Sequence, residues 1–160
     1  MRRRVEGLTS SLLIVLDHPQ KPRNIGAVCR VAAALGAELL VIGTSLQRDP
    51  YRQAMAAVGN SVQRHACDDF ESALAFCRER GLRCVGSSSR GGDPLWSLPL
   101  GENVALFFGH EVGGLSAAKL GRLDAKLMIP MAAGVDSLNL ACSVAVLGYE
   151  WLRRQQGQGL

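Results

Sequence analysis

Five polar residues stand where apolar runs end or helical patterns begin: Asn24, Arg30, Glu111, Ser137 and Asn139. Two amides, a guanidinium, a carboxylate and a hydroxyl can bind or orient a ligand. Arg30 follows Asn24 by six residues, nearly two helical turns, in a stretch that otherwise reads "IGAVC-VAAALGA". A guanidinium among so many small apolar residues is costly to bury unless it is paired or meets a phosphate. It can equally reach solvent from one helix face, and the pattern alone leaves both readings open. Glu111, within "GHEVGG", either orients a hydroxyl or amide or is merely solvated. Ser137 suits a helix N-cap. Asn139 adds an amide that such capping does not require, and Asp136, just before them, reads as solvated.

Other chemistries lack their residues. No GxxxxGK[ST] loop occurs, and the first apolar run leads into "DHPQKPRN" rather than GxGxxG. A GxSxG elbow is missing, and no histidine has an evident serine or cysteine partner. His110 and Glu111 begin a zincin-like pattern, but Gly114 stands where the second histidine belongs. Five scattered cysteines without a CxxC pair argue against both a disulfide framework and a zinc site. No metal is expected.

The elements that must position these residues alternate in type. "LLIVL" (Leu12–Leu16), "ELLVIG" (Glu38–Gly43), "RCVGSS", "VALFFG" (Val104–Gly109) and "AKLMIP" read as strands, several of them apolar throughout as buried parallel strands are. Helices are expected over about Asn24–Leu35 with Gly36 as its cap, Tyr51–Ala57, the "FESALAFCRER" run after Asp68 and Asp69, Ala117–Leu120, and about Leu138–Gln155. An edge strand is expected near Val62–His65. The order predicts an α/β fold, a mostly parallel open sheet with helices on both faces. Such sheets bind ligands beyond the carboxyl ends of their strands. Three Gly- or Ser-rich loops lie there: Gly86–Gly92, Gly109–Gly114 and Pro130–Ser137.

The 160 residues suit a single domain, with residues 1–10 a basic tail carrying Arg2, Arg3 and Arg4. No apolar run approaches a membrane span, and no apolar segment follows the basic start as in a signal peptide, so a cytoplasmic location is expected. The net charge is +4, with fifteen arginines against three lysines. Arginine's planar fork favours phosphate, hence a nucleic-acid partner.

Three stretches, "PRNIGAVCRVAAALG", "ALFFGHEVGGLS" and "IPMAAGVDSLNLACSVAVLGYE", resemble in order and spacing the signature motifs of the SPOUT superfamily. More narrowly they resemble its SpoU/TrmH branch, the S-adenosylmethionine-dependent RNA ribose 2′-O-methyltransferases. The resemblance implies a C-terminal trefoil knot and a homodimer with its active site at the subunit interface. It places the cofactor against Ser87, Gly109, Ile129, Ser137 and Leu138. It makes Arg30 the central catalytic residue, assisted by Asn24, Glu111, Ser137 and Asn139, without a metal. A free guanidinium is protonated at neutral pH, so Arg30 is expected to bind the target phosphate and ease formation of the alkoxide. Two stripes on the last helix, Leu138/Ala141/Ala145/Leu152 and Leu140/Val144/Leu147/Trp151, cover more circumference than one surface helix buries. Either a partner surface or complete burial within the chain would account for them; the resemblance favours the interface. The compact chain, without the extra RNA-binding domain of many rRNA-modifying relatives, points to tRNA. The alternatives are rRNA methylation and a non-catalytic RNA-binding or ribosome-assembly factor.

Overall fold

The structure is a computed structural model that describes residues 10–43, 46, 48–97 and 100–157. The tail with Arg2–Arg4 lies outside the described residues. The chain runs β1 (Ser11–Asp17), α1 (Pro22–Leu35), β2 (Glu38–Ile42), α2 (Asp49–Met55) with a 3-10 turn (Ala56–Val58), then β3 (Arg64–Cys67) and α3 (Phe70–Glu79). It continues with β4 (Arg83–Ser87), β5 (Asp93–Pro94), β6 (Asn103–Phe108), α4 (Ala117–Leu120), β7 (Ala125–Met128) and α5 (Leu140–Gly157).

The strands form one seven-stranded sheet in the order β3-β2-β1-β6-β4-β7-β5, and every pairing is parallel. Side chains alternate across a strand, so the all-apolar strands feed two cores. Leu12, Ile14 and Leu16 of β1 join α1, α2 and α5 on one face. Leu13 and Val15 join Phe70, Ala73, Leu74 and Cys77 of α3 on the other. Each such aliphatic side chain contributes about 1.5–3 kcal/mol when fully buried, which fixes the strand ends that carry the site.

Helix α1 begins at Pro22, two residues earlier than the sequence suggests, because proline suits the first helical position. Gly36 closes it as expected. Gly148 lets α5 lie against α1: a Cβ there would stand 2.4 Å from Leu35 Cδ1. Two elements shift within the poorly patterned stretch, where α2 covers Asp49–Met55 and β3 covers Arg64–Cys67. The stretch between β4 and β6, expected to be all loop, contains β5. Its two residues are too short to show a period, and Pro94 is tolerated because β5 is an edge strand.

The last helix begins at Leu140, so Leu138 precedes it. Leu140, Val144, Leu147, Trp151 and Leu152 are buried against the chain's own core, while Ala141 and Ala145 are half-buried. The large apolar side chains α5 turns outward are Val146 and Tyr149, neither of them in the expected stripes; Tyr149 is 50% exposed. Among the described residues no helix is long and apolar enough to cross a membrane.

Candidate active site

A cleft of about 840 Å³ opens at the carboxyl ends of β1, β4, β6 and β7. Asn24 and Glu111 line it from the β1 and β6 sides, and Ser137 and Asn139 from the approach to α5. The residues expected against a cofactor, Ser87, Gly109, Ile129 and Leu138, line it too. Arg30 does not. It projects from the exposed side of α1, outside the cleft of its own chain.

The polar centre is a chain of hydrogen bonds linking the three motifs. Glu111 Oε2 accepts from the Gln20 N–H, and its Oε1 accepts from the Lys21 N–H and from Asn24 Nδ2, each at 3.0 Å. Helix α1 has neither a side-chain cap nor an acidic residue in its first turn. Glu111 therefore supplies, from another strand's loop, the negative charge that a helix N-terminus favours. Glu111 is thus engaged with the start of α1 and with the Asn24 amide. Burial alone would raise the Glu111 pKa. The hydrogen bonds from Gln20, Asn24 and Lys21 outweigh that and hold the carboxyl below its ordinary range.

Asn24, only 6% exposed, passes the network on: its Oδ1 accepts from Asn139 Nδ2 at 3.3 Å. Asn139 Oδ1 in turn accepts from the Ala141 N–H at 2.9 Å. This corrects the expected capping. Asn139, not Ser137, is the N-cap of α5, because the helix starts two residues later than the pattern suggested. One amide thus serves two purposes, its oxygen closing the helix and its nitrogen reaching Asn24. Ser137 is exposed and lines the cleft.

The glycines of the β6 loop permit close chain approach. A Cβ on Gly109 would lie 1.9 Å from the Gly114 carbonyl carbon, so no larger residue fits without moving the backbone. His110 Nδ1 accepts from the Gly113 N–H at 3.2 Å, a local turn contact. Behind the site, Asp17 is only 2% exposed, and it is held by Lys119 of α4 and by His18 Nδ1 at 2.7 Å. It pins the β1–α1 loop to α4. As one aspartate after an apolar run, it gave no signal in the sequence.

Sequence reasoning also passed over Lys21, Arg23 and Arg90, which line the same cleft, and left Asp136 unassigned although it lines the cleft too. Lys21 and Arg23 were discoverable from their place beside Asn24. Arg90 was hidden in a loop whose course the sequence does not specify.

These three motifs, joined in one cleft, are matched by a family model, described as the SpoU rRNA Methylase family, over residues 11–149. The chain belongs to the SpoU methylase family. Among curated relatives, it is 32% identical to the 23S rRNA (guanosine-2′-O-)-methyltransferase RlmB of Nitrosomonas europaea, over 98% of this chain and 63% of that one. It is 27% identical to RlmP of Bacillus subtilis, named for 2′-O-methylation of a 23S rRNA guanosine, over 88% of this chain and 58% of that one. The chain thus spans about three fifths of these SpoU relatives. Among solved structures, one described as giving structural insights into the 2-OH methylation of C/U34 on tRNA matches with a TM-score of 0.84 and 36% identity, covering 92% of this chain and 98% of that one. The SpoU methyltransferase AviRb from Streptomyces viridochromogenes, in complex with AdoMet, matches with a TM-score of 0.82 and 27% identity, covering 92% of this chain and 58% of that one.

Proposed function

We propose that this SpoU-family chain is an S-adenosylmethionine-dependent RNA ribose 2′-O-methyltransferase acting on tRNA. One observation carries the reading: Asn24, Glu111 and Asn139, one from each motif, are hydrogen-bonded to one another along one cleft. The set also holds the starts of α1 and α5, so it favours the enzyme reading by lining the cleft with polar groups from all three motifs. The cleft suits the cofactor. Leu138, 39% exposed, and half-buried Ile129 offer apolar surface to a flat heterocycle, and the Ser87 and Ser137 hydroxyls offer hydrogen bonds.

Bound S-adenosylmethionine supplies an electrophilic methyl group on a sulfonium. The ribose 2′-oxygen would bond to that methyl carbon as the carbon–sulfur bond breaks to leave a neutral thioether, and the 2′-proton would pass to solvent water at the exposed mouth of the cleft. Glu111 is a poor acceptor for this proton, since both its oxygens already accept hydrogen bonds and its pKa is lowered. Its work is to hold the start of α1 and Asn24 in place. Arg30 binds the target phosphate and stabilises negative charge developing on the 2′-oxygen. Such positioning needs no metal.

The protein acts as a homodimer in which Arg30 of each protomer completes the other's cleft. Arg30 lies outside its own cleft, and α5 turns Val146 and Tyr149 to the surface, both as this arrangement requires. The strand order, with β6 between β1 and β4 and β7 beyond β4, supports a knotted C-terminal part within one catalytic domain. The cytoplasm, where tRNA and ribosomes reside, is its location. The 36% identity and mutual coverage with the tRNA-related structure favour tRNA. The RlmB likeness supports rRNA as the second reading.

Calorimetric titration with S-adenosylmethionine tests the enzyme reading, and absence of binding at millimolar cofactor would overturn it. Mass spectrometry of nucleosides from tRNA and rRNA of a deletion strain separates the substrates. A 2′-O-methyl nucleoside missing from tRNA is expected; one missing from rRNA alone would select the second reading.

A further inference from the structure

The charges around the cleft are sorted by side. Lys21 and Arg23 stand where β1 leads into α1, and Arg90 stands in the loop after β4. All three are exposed, and among the described residues none is paired with a carboxylate. Many other arginines are so paired: Arg52 with Asp49, Arg80 with Glu38, Arg122 with Glu71, and both Arg153 and Arg154 with Glu150. Among the described residues the carboxylates of the cleft form no ion pair with the rim cations. Glu111 is turned to the start of α1 and Asn24. Asp136 lies in the stretch between β7 and α5.

Strand order gives this sorting a shape. β6 lies between β1 and β4, so the cations flank the β6 loop from either side. Two strand spacings separate their carriers, roughly 10 Å. A ribose in an RNA strand has a phosphate on each side. For its 2′-oxygen to enter the cleft, both phosphates must remain at the mouth. We propose that Lys21, Arg23 and Arg90 form a two-sided grip on the phosphates that flank the target ribose. The grip recognises backbone rather than base. Phosphate contacts fix register and orientation and carry no sequence information of their own, so base choice lies elsewhere. The proposal rests on the RNA-methyltransferase reading.

The same cations could instead meet the carboxylate of the cofactor, and the experiment separates the two anions. Purified protein, its Arg23→Ala/Arg90→Ala double variant and an Arg52→Ala control are compared by S-adenosylmethionine calorimetry and by binding of unfractionated tRNA and of fragmented rRNA across salt concentrations. The rim variant should keep its cofactor affinity within about twofold. Its RNA affinity should fall on the order of tenfold or more at low salt, with a log–log salt slope flatter by about 1.5 for two lost phosphate contacts. Arg52→Ala should leave that slope unchanged. Because both rim side chains are exposed, thermal melts of the variants should match wild type. An unchanged RNA slope, an equal loss in Arg52→Ala, or weakened cofactor binding in place of weakened RNA binding would each overturn the grip while leaving the enzyme reading intact. Wild-type protein that bound cofactor but neither RNA would overturn the RNA reading and the grip with it.

Discussion

Asn24 and Arg30 lie on one helix six residues apart, and the fold treats them in opposite ways. Asn24 is buried, its oxygen and nitrogen both engaged, and it joins the β6 loop to the start of α5. Arg30 is exposed and lies outside the cleft. A residue that is fully satisfied inside its own chain contributes to folding as well as to the site. A residue left outside contributes little to folding, and under the proposed function Arg30 acts on what binds there. The comparison separates the part of the site that each chain builds alone from the part it supplies outward.

Replacing each part in turn should break or sharpen that division. The largest effect is expected from Arg30→Ala, which should lower methyl transfer on the order of 10²–10³-fold. Its stability in urea should stay within about 0.5 kcal/mol of wild type, and its cofactor affinity should be nearly unchanged. Glu111→Ala should do the reverse first. It leaves two backbone N–H groups and the Asn24 amide without their acceptor, and should cost about 2–3 kcal/mol, read from the denaturation midpoint. Asn139→Ala removes the cap of α5 and the contact to Asn24, and should cost about 1 kcal/mol. It should also weaken turnover, since the loop before α5 lines the cleft.

The smallest effect concerns pH. Glu111 has a lowered pKa in the folded state, so its stabilisation is fully present above the unfolded carboxyl value of about 4.3. It is lost as pH falls through the folded value. The melting-temperature gap between wild type and Glu111→Gln should therefore be constant from about pH 5.5 to 7.5 and close below about pH 4. A gap that widened in acid would show that Glu111 is not held ionised by its donors. Glu150, pushed down to about 2 by Arg153 and Arg154 in spite of its partial burial, should retain its contribution to lower pH.

Much of the fold was legible because its strands are apolar on both faces. Leu12–Leu16 and Val104–Gly109 read as buried parallel strands, and they occupy the middle of the sheet. β5 was not legible, since two residues carry no period. In the site, residue types were legible but partners were not. Glu111 looked solvated or functional, and only the placement of β6 beside β1 shows it against the start of α1. The cap of α5 was misplaced by two residues because Ser137 and Asn139 are both good capping types, and choosing between them needs the backbone. Outward-facing Val146 and Tyr149 escaped notice because the small alanines on the same helix completed a plausible stripe without them.

The most direct test of the division is complementation between two damaged chains. Arg30→Ala has an intact cleft and lacks only what it supplies outward; Asn139→Ala has a damaged cleft and an intact Arg30. Mixed, unfolded and refolded together in equal amounts, they should form heterodimers in about half of the pairs, each with one complete site. Methyl transfer should then reach at least about a quarter of the wild-type rate, above the mean of the two variants refolded separately. Heterodimers that form but show no more activity than the separate variants would place Arg30 at work in its own chain's cleft and contradict the account.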